Sequence, residues 1–167
     1  MCRVVTKKFA GRDPMLVAMA RHWLADYLGL WEVTVPAQTA ELLVSELVTN
    51  AIRHGGGSPT VKISIRSASL EVGVTDDDLS HLPDPANHRG VLGLPLDPTA
   101  VGGRGLAIVD GLASEWGTAA TDNGKHVWFR LATDDWPHLS DCDCASNEGE
   151  KMPSGRTVHA MPGSWDR

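Results

Sequence analysis

Long apolar runs are missing from this 167-residue chain. None approaches the roughly 20 residues that cross a bilayer, so no membrane segment is expected. The opening Met-Cys-Arg-Val-Val-Thr-Lys-Lys lacks the apolar stretch and small-residue cleavage site of a secretory signal, which makes the cytoplasm the expected location. Cysteine is scarce, at three residues. Cys2 stands alone, and Cys142 and Cys144 are one residue apart, so there is no disulfide framework and a reducing compartment fits. His138 with those two cysteines makes a poor tetrahedral cage, because one short segment supplies no fourth ligand. An excess of positive charge is also missing: 15 basic residues face 21 acidic ones, for a net charge of −6. Without a basic stripe, direct nucleic-acid binding has no electrostatic support. Aromatic residues are few, and the six tryptophans follow no motif spacing. Trp23, Trp116 and Trp128 are therefore assigned to packing.

What is present suits a globular protein. Apolar residues make up 42% of the chain, enough for one domain with a proper core and some excess length. The charge divides unevenly. Residues 134–167 carry seven acidic and three basic groups and are rich in Gly, Pro and Ser. They read as a disordered or loosely attached C-terminal tail behind a domain at 1–133.

Within that domain, Val4–Ala10 reads as a strand. Asp13-Pro14 supplies a helix start, and helical spacing runs from Met15 to Leu28, ending at Gly29. Pro36 opens a second helix that reaches about His54 and stops at Gly55-Gly56-Gly57. Two alternating runs follow, Thr60–Arg66 and Leu70–Thr75, separated by a hairpin-length Ser67-Ala68-Ser69. Periodicity then vanishes from Asp77 to Val101, a long loop of the functional kind. A glycine cluster leads into a short helix over Leu106–Ala113. Two last strands, Glu115–Thr121 and Lys125–Ala132, flank the turn Asp122-Asn123-Gly124. The order β-α-α-β-β-loop-α-β-β implies an α+β two-layer sandwich: a mixed, mostly antiparallel sheet with helices on one face.

Three short stretches carry chemistry. In the second helix the apolar positions Ala40, Leu43, Val44, Leu47, Val48 and Ala51 make one face, and Glu46 and Asn50 stand beside it one turn apart. A carboxylate can orient or deprotonate a hydroxyl, and an amide oxygen can ligate a hard cation such as Mg²⁺. Most polar pairs at this spacing are only a solvated helix face. Asp76 ends a strand with buried alternate residues, where a carboxylate would accept a hydrogen bond from an exocyclic amine; the plainer reading is a turn cap with Asp77 and Asp78. Gly102, Gly103 and Gly105 remove side chains where a backbone would approach phosphates, and the helix from Leu106 offers free N–H groups. Arg104 adds a permanent cation, although an arginine in such a turn is more often simply solvated.

Taken together these stretches resemble a known family. Glu46-Leu-Val-Thr-Asn50-Ala-Ile-Arg-His54 is similar to the N-box of the histidine-kinase-like (GHKL) ATPase superfamily. Val72-Gly-Val-Thr-Asp76 is similar to the strand that ends in its adenine-reading aspartate, and Gly102-Gly-Arg-Gly-Leu-Ala-Ile-Val-Asp110 to its second glycine box. The resemblance covers about residues 1–133 and is nearest to the short branch of anti-sigma-factor serine/threonine kinases. It implies the Bergerat-type ATP-binding fold, with ATP and Mg²⁺ as cofactors and Asn50 as the metal-holding residue. It makes Glu46 the catalytic base or orienting carboxylate. Asp76, Gly102, Gly103, Arg104, Gly105 and Leu106 would bind nucleotide with Asn50, and residues 79–101 would form a lid hinged near Gly93 and Gly102. The partners implied are a sigma factor and its antagonist (anti-anti-sigma) protein, with homodimerisation through the first strand and helix.

One departure stands out. Where the superfamily has an aspartate followed by spaced glycines, this chain reads Asp76-Asp77-Asp78-Leu79-Ser80, and added carboxylates repel a polyphosphate unless a cation screens them. Two functions follow. One is an ATP-dependent kinase that phosphorylates a Ser or Thr of the antagonist and sequesters a sigma factor. The other is a non-catalytic partner-switching module for which nucleotide is at most structural. A full sensor histidine kinase does not fit, because about 35 residues before the second helix are too few for its paired dimerisation helices.

Overall fold

The computed structural model describes residues 3–66, 68–78, 104–122, 124–133 and 157–160. Strand β1 (Arg3–Lys8) leads to α1 (Met15–Leu30) and α2 (Ala37–His54). The hairpin β2 (Thr60–Arg66) and β3 (Ser69–Asp76) follows. Then come α3 (Arg104–Leu112), β4 (Glu115–Thr121) and β5 (Gly124–Ala132). A last strand, β6, spans Thr157–Ala160. The sheet order is β1-β2-β3-β5-β4-β6, and each adjacent pair runs antiparallel. The expected two-layer α+β sandwich is borne out, and among the described ladders none is parallel.

The pleat decides which residues enter the core. Val61, Ile63 and Ile65 on β2, Leu70, Val72 and Val74 on β3, and Val127, Phe129 and Leu131 on β5 are all buried. They alternate with outward residues, as period two requires. Against this face α2 lays Ala40, Leu43, Val44, Leu47, Val48 and Ala51, each at most 2% exposed. Those are the six positions singled out by helical spacing. Leu16, Ala20, Leu24 and Leu28 of α1 and Leu106 and Val109 of α3 complete the same cluster.

Two boundaries differ from expectation for local reasons. Helix α1 runs past Gly29 because Trp31 is 8% exposed and packs edge-on against Tyr27, with ring centroids 5.3 Å apart. Its backbone N–H donates to the Tyr27 and Gly29 carbonyls, closing the last turn. The aromatic ladder continues through Trp23 to Phe9, so Trp23 is a packing residue, as are Trp116 and Trp128, both buried. Helix α3 starts at Arg104, two residues before the expected Leu106. Strand β6 was not anticipated in the acidic tail. It pairs Thr157–Ala160 with Thr118–Glu115 at the β4 edge.

Candidate functional site

The site lies where the C-terminal half of α2 passes between the end of β3 and the start of α3. Asp76 is the last residue of β3 and continues the inward row of Leu70, Val72 and Val74, so its carboxylate points toward the helix layer. Its side chain is only 3% exposed. Directly opposite on β5, in register, stands Lys125. The Lys125 ammonium is 3.3 Å from Asp76 Oδ1 and 2.9 Å from Asp78 Oδ2. The Asp78 backbone N–H also donates to Asp76 Oδ1, at 3.0 Å. Burial pushes the Asp76 carboxyl above the usual carboxylate range, while the Asp78 N–H and the Lys125 charge pull it back down.

Glycines let α2 reach both neighbours. A methyl group on Gly55, just past the helix, would lie 2.8 Å from Asp76 Cβ and 2.9 Å from its Cγ. Only a bare backbone fits there. Arg12, from the β1–α1 connection, braces this exit: its Nε donates to the Gly56 carbonyl at 2.9 Å and its Nη2 to the Gly55 carbonyl at 3.4 Å. Gly11 and Ser58 pair beneath it, each backbone N–H donating to the other residue.

At the other end, a methyl group on Gly105 would lie 2.6 Å from Glu46 Oε2. The first turn of α3 therefore sits against the Glu46 carboxylate. Helix α3 is oriented at its far end by Trp116, whose indole N–H donates to Asp110 Oδ1 at 2.8 Å. Glu46 and Asn50 are both half-buried on α2, between these two contacts. Arg53 and His54 are exposed at the end of the helix. Among the described residues, Arg53 makes no ion pair with Glu46.

The structure thus sets Gly105 against Glu46 and Asp76 against Gly55 just past the end of α2, with Asn50 between these two points along the helix and Leu106 in the adjoining first turn of α3. Because that helix starts early, the unbonded N–H groups of its first turn include those of Arg104, Gly105 and Leu106. Gly105 therefore acts inside the helix by close packing on Glu46, not in the loop before it. Gly102, Gly103 and the expected lid at 79–101 lie outside the described residues, as does the Arg104 side chain. Lys125 was missed by sequence reasoning. Its signal was there: it shares the inward row of β5 with Val127, Phe129 and Leu131, an unusual place for an unpaired lysine.

These residues fit a purine nucleotide. Both side-chain contacts of Asp76 fall on Oδ1, which leaves Oδ2 with acceptor capacity at a buried strand end. The Gly105 backbone is free of a side chain, and Asn50 offers a neutral oxygen between the two ends. Among the described residues no three His, Cys, Asp or Glu side chains cluster around a cation. No helix among them is long and apolar enough to cross a membrane. Comparison with curated proteins returns no match. Comparison with protein families matches residues 12–131 to the histidine kinase-like ATPase domain, a span that holds Glu46, Asn50, Asp76, Gly105 and Lys125. The chain belongs to the histidine kinase-like ATPase domain family.

Proposed function

We propose that this protein is an ATP-binding anti-sigma regulatory factor that phosphorylates a Ser or Thr of an antagonist protein and sequesters a sigma factor. One observation supports the reading: α2 touches the first turn of α3 through Glu46 and the acidic strand end through Gly55. Nine residues of helical rise separate those contacts by about 13 Å, the order of length of an extended nucleoside triphosphate. In this reading the two contacts bracket one ligand.

In this reading Asp76 accepts from the exocyclic amine of adenine. The free N–H groups at the start of α3 receive phosphate oxygens, with Arg104 beside them. Asn50 holds Mg²⁺ through its side-chain oxygen, and the bound cation neutralises charge on the phosphates. Glu46 orients the acceptor hydroxyl and takes its proton. The extra aspartates are less hostile to phosphate than they look, because Lys125, shared by Asp76 and Asp78, offsets part of their charge. The sigma factor and antagonist follow from the resemblance of the three motifs to the short, single-domain branch.

Incubation with γ-labelled Mg-ATP and the cognate antagonist tests the proposal. Label on a Ser or Thr of the antagonist is the expected result. No transfer at saturating Mg-ATP, with sigma-factor binding equal in the presence and absence of ATP, would replace the kinase with the non-catalytic partner-switching module.

A further inference from the structure

The least expected feature of the site is a lysine buried among aspartates. Lys125 is 5% exposed and Asp76 is 6% exposed, an ionisable pair taken almost wholly out of water. Such a pair is costly to bury and is not a default stabilising device. The cross-strand register fixes it in place, since Asp76 and Lys125 are direct partners at the end of the β3–β5 ladder.

We propose that Lys125 is a specificity-determining residue: its ammonium engages Oδ1 of Asp76 and keeps that carboxylate a pure acceptor, leaving Oδ2 to read the 6-amino group of a purine. This deepens the nucleotide-binding reading above and rests on it. An ionised carboxylate can only accept hydrogen bonds, so it suits a 6-aminopurine and opposes a 6-oxopurine, which presents a carbonyl at that position. A protonated carboxyl would donate to that carbonyl, and discrimination would fall.

Lys125 and the Asp78 backbone N–H are the groups that hold Asp76 in its ionised form. From its own turn come Asp77 and Asp78, both acidic. From α2 comes the Gly55 backbone at the negative end of the helix dipole, with Arg53 and His54 exposed beyond it. From the β1–α1 connection comes Arg12, whose guanidinium is engaged by the Gly55 and Gly56 carbonyls. On β5 the neighbouring His126 is paired with Thr75 on the opposite face of the sheet. Among the described residues, Lys125 is the cation in direct contact with the carboxylate. Burial pushes the Asp76 carboxyl up and the Asp78 charge adds to the push, while the Asp78 backbone N–H and Lys125 pull it down. Removing Lys125 pushes it further.

The test uses the full chain as wild type, Lys125→Met, Lys125→Arg and Asp78→Asn. Each is titrated calorimetrically with Mg-ATP and Mg-GTP at about pH 6 and about pH 8, and the Asp76 carboxyl is followed by ¹³C NMR without nucleotide. Wild type and Lys125→Arg should prefer ATP at both pH values. Lys125→Met should lose at least about tenfold of that preference, with ATP binding weakening as pH falls. Its Asp76 midpoint should move up, and that of Asp78→Asn should move down. An unchanged Asp76 midpoint in both Lys125→Met and Asp78→Asn, or an undiminished ATP preference in Lys125→Met, overturns the proposal. If Lys125→Met does not fold, the direction of the Asp78→Asn shift decides. Failure of wild type to bind any nucleotide sinks the ATP reading instead, and the carboxyl titration still judges the role of Lys125 as counter-ion.

Discussion

Glu46→Ala should lower phosphoryl transfer to the antagonist by about a hundredfold or more while leaving Mg-ATP affinity within about threefold of wild type. The carboxylate sits against the first turn of α3, with Oε2 2.6 Å from where a methyl group on Gly105 would be. In the proposed reading it meets an acceptor hydroxyl near the phosphates and does not grip the base. Truncation also removes a half-buried charge from a helix face without opening the core, so melting temperature should change little. Single-turnover transfer measured beside calorimetric affinity separates the two effects. Equal transfer by wild type and variant would mean that Glu46 is only a solvated helix residue.

The second large effect concerns shape. At an ordinary extended glycine, substitution by alanine stabilises by about 0.4–1 kcal/mol, because the unfolded chain has fewer states to lose. Gly55 has φ −96° and ψ 178°, a conformation open to any residue. Contact, not backbone strain, therefore sets the sign there. The added methyl would press on the Ala51 carbonyl and on Asp76 Cβ and Cγ, all held by packing. Either α2 retreats from β3 or the Asp76–Lys125 pair is displaced. Gly55→Ala should destabilise by about 1–3 kcal/mol, as overpacking does, and should weaken ATP binding through the displaced carboxylate. Thermal melting and nucleotide titration on the same sample check both, and a variant as stable as wild type would show that this approach is looser than described.

Much of the fold was readable because it rests on local periodicity. The six core positions of α2 and the alternating rows of β2 and β3 follow from spacing alone, and each proved buried. Glu46 and Asn50 stand out for the same reason, an i,i+4 spacing beside the apolar stripe, and both are half-buried there. What escaped depends on contacts distant in sequence. Lys125 meets Asp76 across 49 positions, through a register fixed by the β3–β5 pairing. The run Asp76-Asp77-Asp78 looked like uncompensated charge because its counter-ion lies on another strand. The start of α3 was placed late because Gly105 has poor helix propensity, which its packing against Glu46 overrides. Strand β6 gave no signal, since four residues pairing at an edge depend on β4 offering that edge.

The central claim is that helix, strand end and glycine turn hold one nucleotide together. Calorimetric titration of the wild-type chain with ATP, with and without Mg²⁺, tests it most directly, with Asp76→Asn and Asn50→Ala as companions. Saturable binding at one site per chain is expected, with Asp76→Asn losing adenine affinity and Asn50→Ala losing the Mg²⁺ dependence. No heat with ATP under either condition, or full affinity in both variants, would contradict it.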